Sequence, residues 1–134
     1  FYFLTNPDLF FYFFKRNHKL QFDLFHGKGN LDLAIDLLDQ KNKHDFKTFM
    51  YQQDSFNPHN MFLCKTKLLR GYYETIFPWL EKCEKIFGFN LDGYANIRIY
   101  AFLAERFLPF WFNKYAKCLE WPIVFKDLRE ENLD

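Results

Sequence analysis

The chain has 134 residues, of which 49% are hydrophobic, so it is long enough for one domain with a core and too apolar for general disorder. Its 18 basic and 17 acidic side chains are interspersed and give a net charge of +1, which argues against nucleic acid as a partner. The 20 Phe, eight Tyr and three Trp, beside a single valine, disfavour a Val-rich parallel sheet.

The N-terminal segment is aromatic but too interrupted to span a membrane. Polar residues 6–8 divide it into apolar runs far shorter than the roughly 20 residues that a spanning helix needs. Asn6 followed by Pro7 predicts a helix start, with the helix ending near Asn17. The aromatic run 10–14 is compatible with peripheral contact at the inner membrane, although packing in a core or against a neighbouring domain is favoured.

Helical periodicity continues after this segment. A short element is predicted at residues 21–25, and after two glycines Asn30 is expected to cap a helix over residues 31–40. The apolar stripe of that helix is Leu31, Ala34, Ile35 and Leu38. Three acidic residues fall on or near its polar side, where a solvated face is favoured over a metal site: Asp32, Asp36 and Asp39.

The middle of the chain is predicted to contain two helices and a strand. The first helix lies around residues 44–51, and the composition of residues 54–60 indicates a loop after it. The next five residues, MFLCK, are predicted to form a short buried strand. Thr66 is expected to cap a helix over residues 67–87, which Pro78 should kink or divide.

The C-terminal third contains the most apolar predicted helix. Residues 94–112 follow a glycine-bracketed loop and are predicted to form an aromatic helix that kinks or ends near Pro109. Residues 121–125 resemble a strand, and residues 126–134 are expected to be a flexible tail. We predict a single domain or partial domain over residues 1–134.

Charged side chains within the apolar helix are the main functional clue. Arg98, Glu105 and Arg106 interrupt it, and a buried ion needs a partner, hydrogen bonds or a charged ligand to offset its desolvation. Seven residues separate Arg98 from Glu105, which in a regular helix places them on one face roughly 10 Å apart along the axis. The spacing predicts that they line a pocket, and an internal ion pair is the competing interpretation.

Common catalytic motifs are absent from the sequence. It contains no G-x-S-x-G, G-x-x-x-x-G-K-[ST], H-E-x-x-H or G-x-G-x-x-G, which disfavours hydrolase, P-loop and Rossmann interpretations. There is also no Asp-x-Asp pair to hold a divalent cation on a diphosphate. Cys64, Cys83 and Cys118 lack the spacing of a zinc site or a disulfide framework, which favours a reducing, cytoplasmic setting.

Four segments in a fixed order carry a family resemblance. The segments resemble the C-terminal part of the bacterial domain of unknown function 4422 family, over about residues 18–125. In chain order they are QFDLFHGKGNLDLAIDLL, FNPHNMFLCK, YYETIFPWLEKCEKIFGF and GYANIRIYAFLAERFLPFWF. Its Asn-Met-Phe and Phe-Leu-x-Glu-Arg elements are fairly specific. Members of that family are glycosyltransferase-like proteins of capsule, exopolysaccharide and lipopolysaccharide gene clusters.

The resemblance implies a fold and an activity. The fold is α/β, here a predominantly helical fragment with a few short strands, as the C-terminal portion of a nucleotide-diphospho-sugar transferase-like fold. The activity is transfer of a sugar, for example galactofuranose, from a nucleotide-sugar donor to a glycan acceptor during surface polysaccharide biosynthesis. A divalent cation such as Mn²⁺ or Mg²⁺ is left open as a cofactor, and no residue is assigned as a metal ligand. The expected location is the cytoplasm, including its inner-membrane surface.

The resemblance also implies two catalytic residues, Glu105 and His26. Glu105 is a candidate general base for the acceptor hydroxyl. His26 is a candidate for phosphate binding or base catalysis, and Gly27 beside it would let the backbone approach a ligand closely. The competing interpretations are a structural ion pair for Glu105 and a helix-terminal cap for His26. The other histidines of the first half, His18 and His44, are expected at the surface.

The implied substrate-binding residues are Arg98, Arg106, Asn60, His59 and Gly27. A planar guanidinium binds phosphate oxygens in a bidentate manner, so either arginine can neutralise the departing diphosphate. His59 and Asn60 precede a predicted strand, where sugar hydroxyls or metals are often contacted, but turn formation explains them almost as well.

The sequence departs from the family pattern at its start. Family members begin with an α/β portion that carries a His-Tyr-Arg-Arg type motif, which this sequence lacks, and the chain does not begin with Met. We therefore expect it to be part of a longer protein, or a split or truncated product that is inactive alone. In the last motif Ala101 replaces the usual Gly, a change expected to keep the close packing.

Two other interpretations remain open. A noncatalytic module that docks a catalytic partner or binds an acceptor would be favoured by an exposed aromatic patch near residues 10–14. An inactive remnant would be favoured if Arg98, Glu105 and His26 fail to converge. Three further side chains are assigned to core packing rather than to sugar stacking, namely Trp79, Trp111 and Trp121.

Overall fold

The computed structural model describes residues 2–5, 17–56 and 60–122, and most of these residues are helical. The elements in chain order are β1 (Tyr2–Thr5), α1 (His18–His26), α2 (Asn30–Asp36), α3 (Gln40–Gln52), β2 (Phe62–Leu63), α4 (Thr66–Phe87), α5 (Tyr94–Ile97), α6 (Ile99–Tyr115) and β3 (Leu119–Pro122). The predominantly helical fold with a few short strands is therefore confirmed. The predicted first helix, apart from its last residue, and the predicted C-terminal tail lie outside the described residues.

The three strands form a small sheet in the order β2-β1-β3. Strand β1 is antiparallel to β2, with Phe3 opposite Phe62, and parallel to β3, with Phe3 opposite Glu120. The prediction that β2 is buried is wrong for Leu63, whose relative exposure is 72%. Successive side chains of a strand point to opposite faces, so Phe62 packs against the core while Leu63 lies on the other face.

The corner between α1 and α2 depends on two glycines. Asn17, expected to end a helix, instead caps α1 by accepting a hydrogen bond from the Leu20 amide at 2.9 Å. Gly27 and Gly29 then adopt φ angles of 92° and 87°, which few other residues tolerate. The prediction that Asn30 caps α2 is wrong, because Gly29 takes the cap position and the Asn30 side chain donates to the His26 carbonyl at 2.7 Å.

The apolar stripe predicted for the second helix is confirmed. All four of its residues are buried, although α2 ends at Asp36 rather than at residue 40. The reason for the early end is Asp39, which accepts the Asn42 amide at 3.1 Å and so begins α3. Helix α3 consequently starts four residues before the predicted element.

Helix α4 runs without interruption through Pro78. Lys65, and not Thr66, occupies its cap position. Pro78 is exposed, so the Glu74 carbonyl that loses its amide partner lies on the solvent side, where water can replace the bond. The next residue, Trp79, is buried, and its indole donates to the Ala34 carbonyl at 2.6 Å and ties α4 to the end of α2.

The predicted helix over residues 94–112 is two helices. Its break lies at Arg98, which ends α5 and caps α6 with φ −99° and ψ 15°. Pro109 does not end α6, which continues to Tyr115 and packs on α3 and α4. The described helices include none with the length and hydropathy needed to cross a bilayer.

Aromatic rings fill the core between α3, α4 and α6. Phe46 meets Trp79 and Phe107 edge to face, with ring centroids 5.8 and 5.2 Å apart. Trp79 and Phe107 are themselves 5.0 Å apart, so the three rings form a closed cluster. Such edge-to-face contacts add about 0.5–1.5 kcal/mol per pair beyond apolar burial. The assignment of Trp79 to the core is confirmed, since the side chain is 2% exposed.

We expect Gly27→Ala to destabilise the fold more than the matched control Gly29→Ala. A Cβ at Gly27 would lie 2.6 Å from Nδ2 of Asn30, whereas a Cβ at Gly29 would meet no atom within 4 Å. Strain in the left-handed backbone of Gly29, with φ 87° and ψ −14°, should lower the free energy of unfolding by about 1 kcal/mol. The loss at Gly27 should be about 2–3 kcal/mol, because its φ 92° and ψ 129° are accessible almost only to glycine and the Asn30 bond is displaced as well. Urea unfolding measures both values, and equal losses would contradict the prediction.

Candidate functional site

Three of the predicted site residues lie on α1 and α6, two helices that are joined by the hydrogen bond between Arg106 and Gln21. His26 lies at the end of α1, and Glu105 and Arg106 lie in the middle of α6. The electrostatic environment of His26 includes both the Glu105 carboxylate and the Arg106 guanidinium. Asn60 is exposed just before β2, and His59 lies outside the described residues. We call the group formed by His18, Gln21, His26, Glu105 and Arg106 the α1–α6 cluster.

Arg106 is the buried charge of this cluster. Its residue is 5% exposed, and its guanidinium donates to Oε2 of Glu105 at 3.0 Å and to Oε1 of Gln21 at 3.2 Å. The ring of Phe56 lies 4.5 Å from the guanidinium carbon, and that of Phe22 lies 5.8 Å away. Burial lowers the pKa of Arg106 and the Glu105 charge opposes this, so the ion pair keeps the guanidinium charged.

One donor of Arg106 has no acceptor within the described part of the chain. Its Nε is buried and has no hydrogen-bond partner among the residues that the structure describes. A buried donor left unpaired costs about 1–3 kcal/mol, and more when the group is charged. Arg106 therefore occupies a position where an additional acceptor would be favourable.

His26 is held as a neutral ring with one free lone pair. Its Nδ1 lies 3.2 Å from the Ala95 carbonyl of α5, and because a carbonyl only accepts, the proton belongs on Nδ1. The lone pair is therefore on Nε2. The ring stacks on Phe102 at 4.2 Å, and burial lowers the pKa of His26 below 6.5. The group is thus unprotonated at neutral pH, which suits a base.

His18 was expected at the surface, and this prediction is wrong. The residue is 2% exposed, and its Nε2 donates to the Ser55 carbonyl at 3.0 Å. Phe49 stacks on the ring at 5.5 Å and Phe56 meets it edge-on at 4.8 Å. Burial lowers the pKa of His18 to about 4, and the nearby Arg106 charge acts in the same direction. His44, by contrast, is exposed as predicted.

Arg98 does not occupy the buried position that the sequence predicts. It is exposed at the junction of α5 and α6, where it donates to the Tyr94 hydroxyl. Its guanidinium carbon lies 5.6 Å from the ring of Phe102, the ring on which His26 stacks. Phe102 thus connects the exposed arginine to the α1–α6 cluster. Glu105 pairs with the adjacent residue Arg106 and not with Arg98, which was the competing interpretation to a pocket lined by Arg98 and Glu105.

Gly27 has a structural role in addition to any contact with a ligand. Its left-handed φ angle turns the chain out of α1, and the Asn30 side chain occupies the space that a Cβ would need. The residue therefore has to be glycine for the turn alone. Whether the backbone at Gly27 also approaches a ligand stays a prediction.

Sequence reasoning missed Gln21, Phe102 and His18 as members of this region. Phe102 begins the Phe-Leu-x-Glu-Arg element and Gln21 lies in the first matching segment, so both stood within motifs already singled out. His18 had no such signal. Its burial depends on Phe49 and on residues beyond the end of α3, which no local pattern connects to it.

The acidic residues of α2 and its neighbourhood make protein contacts. Asp32 accepts from the Tyr51 hydroxyl at 2.6 Å and pairs with Lys19 at 3.0 Å, while Asp39 caps α3. Asp36 lies 3.9 Å from the Lys43 ammonium. Within the described ranges, no three His, Cys, Asp or Glu side chains are grouped as they would be around a metal ion. Cys64, Cys83 and Cys118 all lie among the described residues, and none of them forms a disulfide.

Comparison with known protein families places the chain in a defined class. A family model, a domain of unknown function named DUF4422, matches residues 5–117, which is most of the chain. The chain therefore belongs to the DUF4422 family, and the resemblance drawn from its motifs is confirmed. Comparisons with curated proteins and with solved structures gave no match.

The buried histidines are expected to make the fold sensitive to moderate acid. Between pH 6.5 and about 4 the unfolded chain protonates His18 while the folded chain does not, so unfolding takes up a proton. The contribution of neutral His18 to the free energy of unfolding is complete above pH 6.5 and decreases as the pH is lowered, by about 2 kcal/mol at pH 5. His26 acts in the same direction because its pKa is also lowered. Urea unfolding at pH 7.5 and pH 5 measures the loss.

A pair of variants isolates His18 in this measurement. His18→Gln keeps a donor for the Ser55 carbonyl but cannot titrate, so the loss between the two pH values should shrink. His44→Gln removes an exposed histidine and should leave the loss unchanged. If both variants lose stability with acid as the natural sequence does, His18 is not the titrating group.

Proposed function

We propose that this chain is the C-terminal part of a glycosyltransferase that acts in bacterial surface polysaccharide biosynthesis. Membership of the DUF4422 family supports the proposal, since the matching segments contain the candidate site residues. The observation that carries it is the buried Arg106 guanidinium, whose Nε has no acceptor among the described residues, paired with the Glu105 carboxylate and within the electrostatic reach of His26. The fold proposed for the complete protein is of the nucleotide-diphospho-sugar transferase type.

The chemistry of sugar transfer requires a base and positive charge. An acceptor hydroxyl attacks the anomeric carbon of the donor and gives up its proton, while the nucleotide diphosphate leaves with the bonding electrons. His26 through its free Nε2, or Glu105 through its carboxylate, would accept the proton. Arg106 and Arg98 would stabilise the developing charge of the diphosphate, since charge-assisted bonds to phosphate are stronger than neutral ones.

The two arginines would play different parts. Arg98 is exposed and held by Tyr94, so its guanidinium can exchange that contact for a phosphate oxygen. Arg106 is fixed by Glu105 and Gln21 and would act mainly through its field on the adjacent site. The same proposal includes a nucleotide-sugar donor and a glycan acceptor as substrates. It also includes a cytoplasmic location with peripheral contact at the inner membrane. The need for a divalent cation is left open.

A noncatalytic docking or acceptor-binding module is the second candidate. The observation that favours it is that Arg98 lies outside the α1–α6 cluster and reaches it only through Phe102. The aromatic run at residues 10–14, which would be the docking surface, lies outside the described residues. An inactive remnant stays a third candidate, because Arg98 is exposed and does not join His26 and Glu105 in the α1–α6 cluster.

Binding of nucleotide sugars tests the transferase proposal directly. We expect a nucleotide diphosphate sugar to bind the chain extended by its upstream coding sequence, measured by calorimetry with and without Mn²⁺. Arg98→Ala should weaken that binding about tenfold, the equivalent of one lost charge-assisted hydrogen bond. Arg70→Ala, an exposed arginine on α4, is the matched control and should leave affinity unchanged.

The outcomes separate the candidates. Binding only by the extended form identifies this chain as one half of an enzyme, and no binding by either form favours the noncatalytic module. A structural role for the buried ions is tested by the joint replacement Glu105→Leu with Arg106→Met. If that replacement raises stability and leaves nucleotide-sugar binding unchanged, the ions are structural and the site assignment is wrong.

A further inference from the structure

Helix α4 carries a second stripe of large side chains, on a face that is exposed. Its buried face is formed by Tyr72, Ile76, Trp79 and Cys83. Each of these is followed by a residue turned about 100° further around the helix. Two of those next residues, Tyr73 and Phe77, are 42% and 54% exposed, and their rings stack on each other at 5.2 Å. Neighbouring large apolar groups on a surface indicate an interaction site.

The residues of this stripe recur at the spacing of a coiled-coil seam. The intervals are four, three, four, three and four residues, and the members are Thr66, Arg70, Tyr73, Phe77, Leu80 and Glu84. We call this set the α4 seam. Such intervals keep side chains on one face of a helix over several turns, here for about 27 Å. Every member is exposed or half-buried, so the α4 seam can be reached by another helix.

We propose that the α4 seam pairs with the α4 seam of a second copy of this chain, with the two helices antiparallel. A two-fold axis midway between Tyr73 and Phe77 places each of these rings opposite the other ring of the partner copy. In the layers on either side, Arg70 lies opposite Leu80 of the partner copy. The seam is therefore complementary to itself, as an isologous dimer interface has to be.

Charge complementarity favours the antiparallel arrangement. Lys67 and Arg70 lie near the start of the seam, and the acidic residues Glu81 and Glu84 lie near its end. In the antiparallel pair, Arg70 lies beside Glu81 of the partner copy and Lys67 lies beside Glu84, each contact occurring twice by symmetry. A parallel pair would place Arg70 beside Arg70. Glu74 lies nearest the axis and faces its own copy, which is the one like-charge contact of the antiparallel arrangement.

The size of the surface determines how strong the dimer should be. Interfaces of the standard size use about 20–30 residues from each partner. One helix face supplies fewer, and each exposed ion pair contributes little. The stacked aromatic layers would provide most of the binding free energy. We expect a reversible dimer with a Kd on the order of tens of micromolar, which weakens as salt is added.

Sedimentation velocity on the chain, from micromolar to millimolar concentration, measures the association. We expect the mass to approach twice the 16.5 kDa of one chain. Arg70→Glu and Glu81→Arg should each raise the Kd about tenfold, because each creates two like-charge contacts. Phe77→Ala removes a ring from both central layers and should have an effect of similar size. Lys82→Glu reverses a charge on the opposite side of α4 and is the matched control, which should dimerise as the natural sequence does.

An equimolar mixture of the two charge variants tests the register of the pair. In a mixed dimer the new carboxylate at position 70 meets the new guanidinium at position 81, and the natural Glu81 meets the natural Arg70. Both contacts are then restored, so the mixture should dimerise as the natural sequence does although neither variant does so alone. The changed side chains are exposed, so urea unfolding at low micromolar concentration should match that of the natural sequence and exclude loss of folding.

Three results would overturn the proposal. The first is a chain that stays monomeric up to millimolar concentration, which would leave the α4 seam to a different partner. The second is a dimer that neither charge reversal weakens, since it would use another surface. The third is a mixture that does not recover, which contradicts the antiparallel register. The α4 seam shares no residue with the α1–α6 cluster, so each of these results leaves the proposed function unaffected.

Discussion

Helix α6 carries apolar side chains around almost its whole circumference, so the chain has to surround it. A helix of this kind exposed on one side would leave several large side chains in water, each costing about 1.5–3 kcal/mol relative to burial. Helices α3 and α4 pack on it directly, and α1 approaches it through Gln21 and Arg106. The α1–α6 cluster follows from this arrangement, because it lies where α1 approaches the side of α6 that carries Arg106.

The aromatic composition is what makes such a core possible without a large sheet. Phe46, Trp79 and Phe107 interlock across three helices, and Trp79 also anchors the end of α2 through its indole. These contacts explain why proline does not end the long helices. Pro109 costs α6 one backbone hydrogen bond. Burial of Phe107 and of the residues that follow it stabilises the helix by more than this loss, so the helix continues.

Periodicity predicted the buried stripe of α2 because four apolar residues at helical spacing leave one face to bury. The same reasoning placed Arg98 inside a helix, since no glycine or proline marks the break between α5 and α6. That break follows from tertiary contacts, including the bond from His26 to the Ala95 carbonyl, and these have no local signal. The resemblance named His26, Glu105 and Arg106 together with Arg98 and Asn60. Glu105 and Arg106 form an ion pair, whereas Arg98 and Asn60 are exposed and lie outside the α1–α6 cluster. Neither spacing nor resemblance predicted which of the named residues would lie together.

Fold stability alone does not explain why an arginine is buried at position 106. Its ion pair with Glu105 has to offset the desolvation of two charges, and a buried pair of this kind is often no better than apolar side chains of the same volume. The buried Nε of Arg106, which has no acceptor in the described part of the chain, raises the net free-energy cost of burying the pair. His18 and His26 limit the cost, because burial keeps both rings neutral and they add no further positive charge. The cluster therefore carries one positive and one negative charge in an apolar setting, where a developing negative charge would interact with Arg106 far more strongly than in water. An apolar residue in place of Arg106 would fill the space equally well, but it could not provide that interaction.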